Sequence, residues 1–378
     1  MTVRVGVNLL WCRPGKVGGS EQYLSRQLAG LAIVNDGNVA VTAFAPRGFV
    51  SAHPELTAVS TSLSVIESGS DCANRAGRIV RESTWLAGRT REMQIVHHGG
   101  GTIPFRTNGA TMLTVHDVQY LTYPQYFSQT RLRYLAYMLP RSLRRSDMVV
   151  VPSPYVRDTL VERFAINPEK VRVVVHGIES VDVSTIDETT VRERFGLAGV
   201  PYFIYPAITH PHKNHRFLVE LLAGPWGRRE EHLLFIGGAG RADDELKALI
   251  AARDMSGRVH FTGHVGAADR DALIRGACAV LFPSEYEGFG APVAEAMTLG
   301  VPVVTSDRAS LPGVVGSGGI VLPLTIDAWA DVPERVAGQR DLLVAAGAER
   351  ARAFTLEASG RDLLAAYLSL AARGVAKR

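Results

Sequence analysis

The stretch "CAVLFPSEYEGFGAPVAEAMTLGVPVVTSD", residues 278 to 307, contains a strand, a loop, a helix and a second strand in succession. Both ends are short apolar runs of strand character. Between them Pro292 and Gly300 bracket a short helix, because proline is favoured in the first helical turn and glycine just beyond the last. We therefore predict a helix from Pro292 to about Leu299, as part of an α/β fold.

The loop of this stretch is rich in glycine and leads into the N-terminus of the predicted helix. Gly288 and Gly290 allow the backbone to approach a ligand closely. The N–H groups and the dipole of a helix N-terminus favour an anion, so the loop indicates a phosphate site. An ordinary β–α connection with surface acids is the alternative. Two glutamates, Glu287 and Glu295, flank the loop, which raises the question of why an anion site carries anions of its own.

Short apolar runs alternate with helical patterns along the whole chain. Their hydrophobicity is continuous rather than alternating, which is typical of parallel strands covered by helices on both faces. We therefore predict two doubly wound, Rossmann-like α/β domains, residues 1–181 and 182–360, separated within the polar stretch 180–196. Ligands of such folds bind beyond the carboxyl ends of the strands, where two facing domains form a cleft.

Composition excludes several classes of protein. The 378 residues are 46% hydrophobic and 21% charged, without an apolar run long enough for a transmembrane helix. The N-terminus has no basic leader followed by a long apolar segment, so no signal peptide is expected. Three widely separated cysteines favour a reducing cytoplasm over a disulfide framework or a cysteine-based zinc site. A net charge of +4 is too small to indicate nucleic acid.

The loop after the first apolar run resembles a second helix N-terminal site. Gly15, Gly18 and Gly19 precede a helix whose apolar stripe is formed by Tyr23, Leu24, Leu28 and Leu31. Neither this loop nor "GGAGRAD", residues 237 to 243, has the G-x-G-x-x-G spacing of dinucleotide-binding proteins. A nicotinamide-dependent oxidoreductase is therefore disfavoured.

Two further residues at predicted strand ends are candidates for the chemistry. His116 could transfer a proton or donate to a substrate oxygen, and a structural hydrogen bond is the alternative. Lys213 precedes a helix, where a cation is unfavourable unless an anion binds too, so it is a candidate phosphate ligand, and a solvated surface lysine is the alternative. No carboxylate lies near His210, His212 and His215 in the sequence, and a metal site is not expected there.

Taken together, these segments resemble family 4 of the GT-B glycosyltransferases. "PSEYEGFGAPVAEAMTLGVPVV" is similar to the E-x7-E motif of that family through Glu287 and Glu295, "GGSEQYL" to its glycine loop, "VHD" to its histidine and "PHKNH" to its donor-phosphate lysine. The resemblance covers most of the chain in order. It implies that the domains face a central cleft and that a last helix, 361–378, packs back on the first domain.

The resemblance also implies an activity and a site. The enzyme would be a retaining hexosyltransferase that moves mannose or another hexose from a nucleotide-diphospho-sugar to an acceptor, without a metal or another cofactor. His116 and Glu287 would be catalytic, and Glu295 would bind the ribose. The donor diphosphate would be bound by Lys213, Phe289, Gly290 and Ala291. Gly18 and Gly19 would form the glycine loop of the acceptor-side first domain, and the second domain would bind the nucleotide sugar.

Several points remain open in the sequence. Residues 206–212 contain no arginine, although many family members have one before the lysine.

An epimerase, a phosphorylase or a catalytically silent sugar-nucleotide-binding protein are the alternative functions. The acceptor would be a glycan, a lipid-linked molecule or a small molecule. Arginines in 74–91 and 131–145 could contact a membrane, at the inner face of which the cytoplasmic protein would be peripheral, but a solvated helix face is the favoured interpretation. No nucleic acid partner is expected.

Overall fold

The computed structural model describes residues 2–16, 18–58, 62–182 and 187–376. The chain divides into two compact units. Unit 1 comprises Met1–Glu179 and Phe354–Arg378, and unit 2 comprises Ser180–Ala353. The chain thus leaves unit 1 two residues before the sequence-based boundary, after 179 rather than 181, and returns to it at 354.

Each unit contains one parallel sheet. In unit 1 the strands lie in the order β3-β2-β1-β4-β5-β6-β7, and in unit 2 in the order β10-β9-β8-β11-β12-β13. The strands are β1 Val3–Asn8, β2 Val39–Ala45, β3 Leu63–Glu67, β4 Ile95–His98, β5 Ala110–Thr114, β6 Met148–Val151, β7 Val171–Val173, β8 Tyr202–Pro206, β9 His232–Ile236, β10 Val259–Gly263, β11 Val280–Phe282, β12 Val303–Ser306 and β13 Ile320–Leu322. The prediction of two Rossmann-like α/β domains is confirmed.

Helices connect these strands and cover the sheets. They are α1 Gly19–Val34, α2 Phe49–Ala52, α3 Glu55–Ala58, α4 Arg75–Arg81, α5 Ala87–Arg89, α6 Gln119–Thr122, α7 Gln129–Arg145, α8 Pro154–Phe164, α9 Glu188–Arg194, α10 His215–Ala223, α11 Asp243–Ala252, α12 Ala267–Arg275, α13 Ala291–Thr298, α14 Leu311–Val315, α15 Ile326–Trp329, α16 Val332–Gly338, α17 Arg340–Ala351 and α18 Leu356–Ala376. A π-helical turn, Glu82–Leu86, joins α4 to α5.

The last helix, α18, belongs to unit 1 although the preceding helices belong to unit 2. It begins at Leu356, earlier than the predicted 361, and residues 377 and 378 lie outside the described part of the chain. Leu363, Ala366, Tyr367 and Leu370 of α18 are buried with the core of strands β1, β2 and β4 and helix α1. The predicted stripe of α1, which comprises Tyr23, Leu24, Leu28 and Leu31, is buried in the same core.

Helices α1 and α18 pack at glycine contacts. A Cβ atom on Gly30 would overlap the carbonyl group of Leu356, and one on Gly360 would overlap the backbone of Gly30. The two helix backbones therefore approach more closely than any larger residue would allow. Of the helices that the structure describes, none is both long and apolar enough to span a membrane.

Candidate functional site

The glycine loop before α13 has the backbone that the sequence predicts. Gly290 caps the helix with a φ of 97°, in the left-handed region that favours glycine, and Pro292 lies in the first turn. A Cβ on Gly290 would lie 2.8 Å from a side-chain carbon of Leu311. The helix starts at Ala291, one residue before the predicted Pro292, because the glycine rather than the proline is the capping residue.

Two serines of neighbouring segments, Ser306 and Ser310, form hydrogen bonds with the two ends of this loop. The Ser310 hydroxyl lies 2.9 Å from the carbonyl oxygens of both Glu287 and Phe289. At the other end, Ser284 contacts the Tyr205 hydroxyl at 2.8 Å and accepts a 2.6 Å hydrogen bond from Ser306 at its carbonyl oxygen. The loop is therefore held in one conformation at the carboxyl end of β11, where ligands of parallel sheets bind.

Lys213 and Glu287 form an ion pair at this loop. The Lys213 Nζ lies 2.6 Å from the Glu287 Oε1, and the two side chains are 19% and 12% exposed. The Tyr205 hydroxyl donates to the Lys213 carbonyl oxygen at 2.9 Å, and the Glu285 N–H donates to the His212 carbonyl oxygen at 2.8 Å. The loops after β8 and β11 are thus tied together, and the structure brings the candidate phosphate lysine and the first motif glutamate into contact.

Glu295 lies inside α13, on the same helix that Phe289, Gly290 and Ala291 lead into. Its side chain is buried, and its Oε2 lies 3.9 Å from an Arg270 nitrogen on α12. Arg270 also pairs with Asp271 at 2.8 Å. The candidate donor residues of unit 2 therefore form one group around α13: Lys213, Glu287, Phe289, Gly290, Ala291 and Glu295.

Three histidines surround Lys213. Burial, with the positive charge of Lys213, lowers the pKa of His212 to about 3, and burial lowers that of His215 to about 3 as well. Both rings are therefore neutral at pH 7. Among the residues that the structure describes, no three His, Cys, Asp or Glu side chains are grouped closely enough to hold a metal ion.

His116 lies in unit 1, just beyond the carboxyl end of β5. Its Nε2 donates a 2.8 Å hydrogen bond to the Gly99 carbonyl oxygen, and its ring contacts those of Trp11 and Tyr23. Burial lowers the pKa of His116 to about 4. The neutral ring therefore carries its proton on Nε2, and Nδ1 is an acceptor. The expectation of a histidine that donates to a substrate oxygen is replaced by one that accepts.

The first glycine loop leads into α1, and the Tyr23 ring of α1 contacts the ring of His116. Gly18 has a φ of 72°, and a Cβ on Gly18 or Gly19 would have no neighbour within 4 Å. The Glu21 carboxylate accepts hydrogen bonds from the Gly15 N–H at 3.2 Å and from the His53 ring at 2.9 Å. The side chain that orders this loop is thus an acid at the start of α1.

A cavity in unit 1 escaped the sequence analysis. It has a volume of about 180 Å³ and is lined by Ile79, Glu82, Thr102, Ile103, Pro104, Phe105, Tyr134, Tyr137 and Met138. Asn8, at the carboxyl end of β1, donates to the Glu82 carboxylate at 3.2 Å and contacts His98 at 3.3 Å. Burial raises the pKa of Glu82. Glu82 lies in the stretch 74–91, for which a solvated face was expected. The sequence of this stretch gave no indication of the π-helical turn.

Arginines of the same two stretches stack on aromatic rings. The guanidinium carbon of Arg75 lies 4.2 Å from the ring centre of Tyr134, and that of Arg141 lies 4.7 Å from Phe105. Cation–π contacts therefore place both guanidinium groups at the cavity wall, while Arg75 is exposed and Arg141 half-buried, so the interpretation of these stretches as solvated helix faces stays a prediction.

Comparison with known proteins agrees with this architecture. The model of glycosyltransferase family 4 matches residues 17–181, and that of the glycosyl transferases group 1 matches residues 187–347. The O-antigen chain mannosyltransferase B of Escherichia coli is 30% identical over 295 residues, which are 76% of this chain and 77% of the relative. The O-antigen chain mannosyltransferase RfbU of Salmonella typhimurium is 28% identical over 246 residues, covering 63% of this chain and 64% of the relative.

The fold is shared with solved glycosyltransferase structures. The structure of Anabaena HepE in complex with UDP and glucose superimposes with a TM-score of 0.75 at 18% identity, covering 97% of this chain and 100% of the other. A glycosyltransferase of Rickettsia africae gives a TM-score of 0.74 at 17% identity, with 98% of each chain covered. From its relatives, its family matches and its two parallel sheets, the chain belongs to family 4 of the GT-B glycosyltransferases.

Proposed function

We propose that this glycosyltransferase transfers a hexose, with mannose as the first candidate, from a nucleotide-diphospho-sugar to a glycan or lipid-linked acceptor, with retention of anomeric configuration. The observation that carries the proposal is the ion pair of Lys213 and Glu287 at the start of α13, with Glu295 inside that helix. The mannosyltransferase relatives favour mannose as the transferred sugar.

A sugar nucleotide explains why acidic residues flank an anion site. Its diphosphate lies between two groups rich in hydroxyls, which are hydrogen-bond donors to carboxylates. Lys213 and the backbone around Phe289, Gly290 and Ala291 would bind the diphosphate. Glu295 would accept from the ribose hydroxyls, and Glu287 would accept from the transferred sugar.

The charges of the site suit the breaking of a sugar–phosphate bond. Negative charge develops on the leaving diphosphate and positive charge on the sugar ring. The Lys213 ammonium lies against Glu287, so donor binding would place the diphosphate on one side of this pair and the sugar on the other. Lys213 would then stabilise the leaving group, and Glu287 the sugar. No metal ion or cofactor is part of the proposal.

His116 would contribute from unit 1. Because its Nε2 donates to Gly99, Nδ1 would accept a hydrogen bond from a sugar hydroxyl and orient the sugar for reaction. Retention would follow if the acceptor attacks on the face that the diphosphate leaves, with a phosphate oxygen taking the acceptor's proton. In this mechanism His116 does not need to change its protonation state.

The acceptor would bind at the cavity of unit 1. Aromatic rings of Phe105, Tyr134 and Tyr137 provide stacking surfaces, and Glu82 provides an acceptor for hydroxyl groups. The nearby Arg75 and Arg141 would suit an acceptor that also carries a phosphate. A lipid-linked acceptor would place the enzyme peripherally at the inner face of the membrane.

Ligand binding and product analysis would test the function. We expect GDP-mannose to raise the unfolding temperature more than UDP- or ADP-sugars do, since a ligand of the native state stabilises it. With an acceptor, free nucleotide should appear only when transfer occurs, in the presence or absence of EDTA, and NMR should show the product in the donor's anomeric configuration. Interconversion of the sugar nucleotide without an acceptor would instead support an epimerase, and binding without turnover a silent binding protein.

A further inference from the structure

The candidate donor site in unit 2 has one lysine for a ligand with several negative charges. Lys213 is already paired with Glu287 at 2.6 Å, so the pair is neutral as a whole. A nucleoside diphosphate carries two to three negative charges near pH 7, and phosphate is most strongly bound by cations and N–H donors together. Residues 206–212 contain no arginine. Any second cation that assists Lys213 therefore comes from another segment.

The loop after β9 packs directly on the loop that carries Lys213. The Ala242 N–H donates to the Thr209 carbonyl oxygen at 2.9 Å, and the Gly240 N–H donates to the Thr209 hydroxyl at 2.7 Å. The Thr209 hydroxyl in turn donates to Asp243 at 3.0 Å. These three bonds surround position 241 on both sides, so its backbone is fixed against the histidine loop.

A glycine contact sets the spacing of the two loops. A Cβ on Gly240 would lie 2.5 Å from the Thr209 carbonyl group and 2.9 Å from the His210 nitrogen. Only glycine fits between these backbones. The residue that follows is Arg241, whose side chain is exposed. The close approach therefore places a guanidinium group beside the loop of His210, His212 and Lys213.

The pKa values of His210 and His212 indicate that Arg241 and Lys213 act on the same two rings. Burial is the main cause that lowers the pKa of His212, followed by Lys213, His210 and Arg241. For His210 the charges of Arg241 and Lys213 both add to burial. Arg241 and Lys213 thus both lie close enough to His210 and His212 to act on them.

We propose that Arg241 binds the diphosphate of the donor together with Lys213, and that it supplies the cation missing from residues 206–212. This inference rests on the proposed function, because it names a further ligand of the same donor. A guanidinium group can bind two phosphate oxygens at once, which a lysine cannot. The side chain contributes from the loop after β9, although the lysine follows β8.

Calorimetry with nucleotides would test the assignment. Arg241→Gln should weaken binding of GDP, or of UDP if that is the preferred nucleotide, by about tenfold to a hundredfold, the range of a charge-assisted hydrogen bond. The corresponding nucleoside monophosphate should lose less, and Arg241→Lys should recover part of the loss. Arg253→Gln is the matched control, because Arg253 follows the other end of α11 and pairs with Glu220.

The outcomes separate this inference from the function on which it rests. If the wild-type protein binds none of GDP, UDP and ADP, the proposed function fails. If it binds one of them, Lys213→Gln loses affinity and Arg241→Gln matches the Arg253→Gln control, the function stands and the role of Arg241 is wrong. Without ligand, the Arg241→Gln and Arg253→Gln variants should have equal unfolding temperatures, since both side chains are exposed. If only Arg241→Gln lowers the unfolding temperature, and Arg241→Lys binds the nucleoside diphosphate with unchanged affinity, Arg241 stabilises the loop instead of binding the diphosphate.

Discussion

The charges of Lys213 and Glu287 offset each other across a 2.6 Å ion pair. Neither side chain is fully buried, at 19% and 12% exposure, so both can be reached by a ligand without unfolding the loop. An ion pair of this kind contributes modestly to stability, since its attraction is offset by desolvation and by the loss of side-chain freedom. Its significance is that two opposite charges are positioned before the substrate arrives.

We expect Glu287→Gln to lower turnover by roughly tenfold to a thousandfold, the range of a lost electrostatic contact at a reacting centre. Binding of the free nucleoside diphosphate should be unchanged or tighter, because Lys213 would no longer be held by a carboxylate. Initial rates with the full donor and calorimetry with the diphosphate measure the two effects separately. Weaker diphosphate binding with normal turnover would mean that Glu287 shapes the loop instead of contacting the sugar.

Glu295→Ala is expected to weaken donor binding more than it slows turnover at saturating donor. A contact with the ribose is similar in the ground state and the transition state, so its loss appears mainly in affinity. Donor titration by calorimetry and turnover at saturation would distinguish the two. Normal donor affinity in this variant would contradict the ribose assignment.

We expect His116→Ala to lower turnover. We also expect the pH–rate profile of the wild type to show no decrease caused by protonation of a histidine. The pKa of His116 is lowered to about 4, so the ring stays neutral from pH 8 down to about 5. His116→Ala should reduce kcat by about tenfold to a hundredfold, as for a lost hydrogen bond at a buried position, with donor affinity nearly kept. A wild-type acid limb between pH 6 and 7 that disappears in His116→Ala would show that the histidine titrates in the reaction.

The residues of the site differ in how far sequence could identify them. Glu287, Glu295 and the loop between them are neighbours in one segment, so their spacing is visible without a structure. Lys213 was a candidate because of its helix start, but its contact with Glu287 crosses between two loops. Arg241 and Glu82 were not identified, because one depends on a glycine contact between loops and the other on a π-helical turn.

At the scale of secondary structure, continuous apolar runs were sufficient to predict all the described strands except β3. In the six strands of unit 2 most residues are buried, because helices cover the sheet on both faces. Strand β3 lies at the edge of its sheet and alternates buried and exposed residues, so its short sequence, "LSVIE", carries little apolar signal. The low apolar content of this sequence, rather than the edge position that it shares with β7, β10 and β13, therefore hides the strand.

The packing of α1 on α18 gives a prediction at the same scale. Gly30→Ala should destabilise unit 1 by about 1–3 kcal/mol or more, because the added carbon would overlap the Leu356 carbonyl group and push the helices apart. Gly88→Ala is the control, since a Cβ at Gly88 has no neighbour within 4 Å and alanine favours a helix by about 0.5–1 kcal/mol. Urea unfolding measures both, and equal stability of the two variants would contradict the close packing.

Buried histidines make the whole molecule sensitive to acid. The pKa is lowered to about 3 for His97, His98, His212 and His215, and to about 4 for His116. In the unfolded chain histidine titrates near 6.5. The unfolded state therefore takes up more protons as pH falls below about 6.5, and the stability that neutral histidines provide is lost in that direction. His53, whose pKa is raised by Glu21, has the opposite effect.

We therefore expect the free energy of unfolding to decrease between pH 6.5 and 5, above the usual range of carboxyl groups. Each buried histidine contributes up to about 1.4 kcal/mol per pH unit. Urea unfolding at several pH values should show this slope, and His97→Gln should reduce it, because His97 is fully buried between Tyr367 and Thr114. A stability that is constant over this range would contradict the lowered pKa values.

Because the chain returns to unit 1 after unit 2, the two units are not completed in the order in which they begin. Unit 2 is a continuous segment, Ser180–Ala353, and is translated before α18. The seven strands of unit 1 are translated before unit 2, yet the core over β1 and α1 lacks Leu363, Tyr367 and Leu370 until α18 follows. Unit 1, most of which precedes unit 2 in the chain, is consequently completed only after unit 2, and until then its core over β1 and α1 lacks part of its apolar cover.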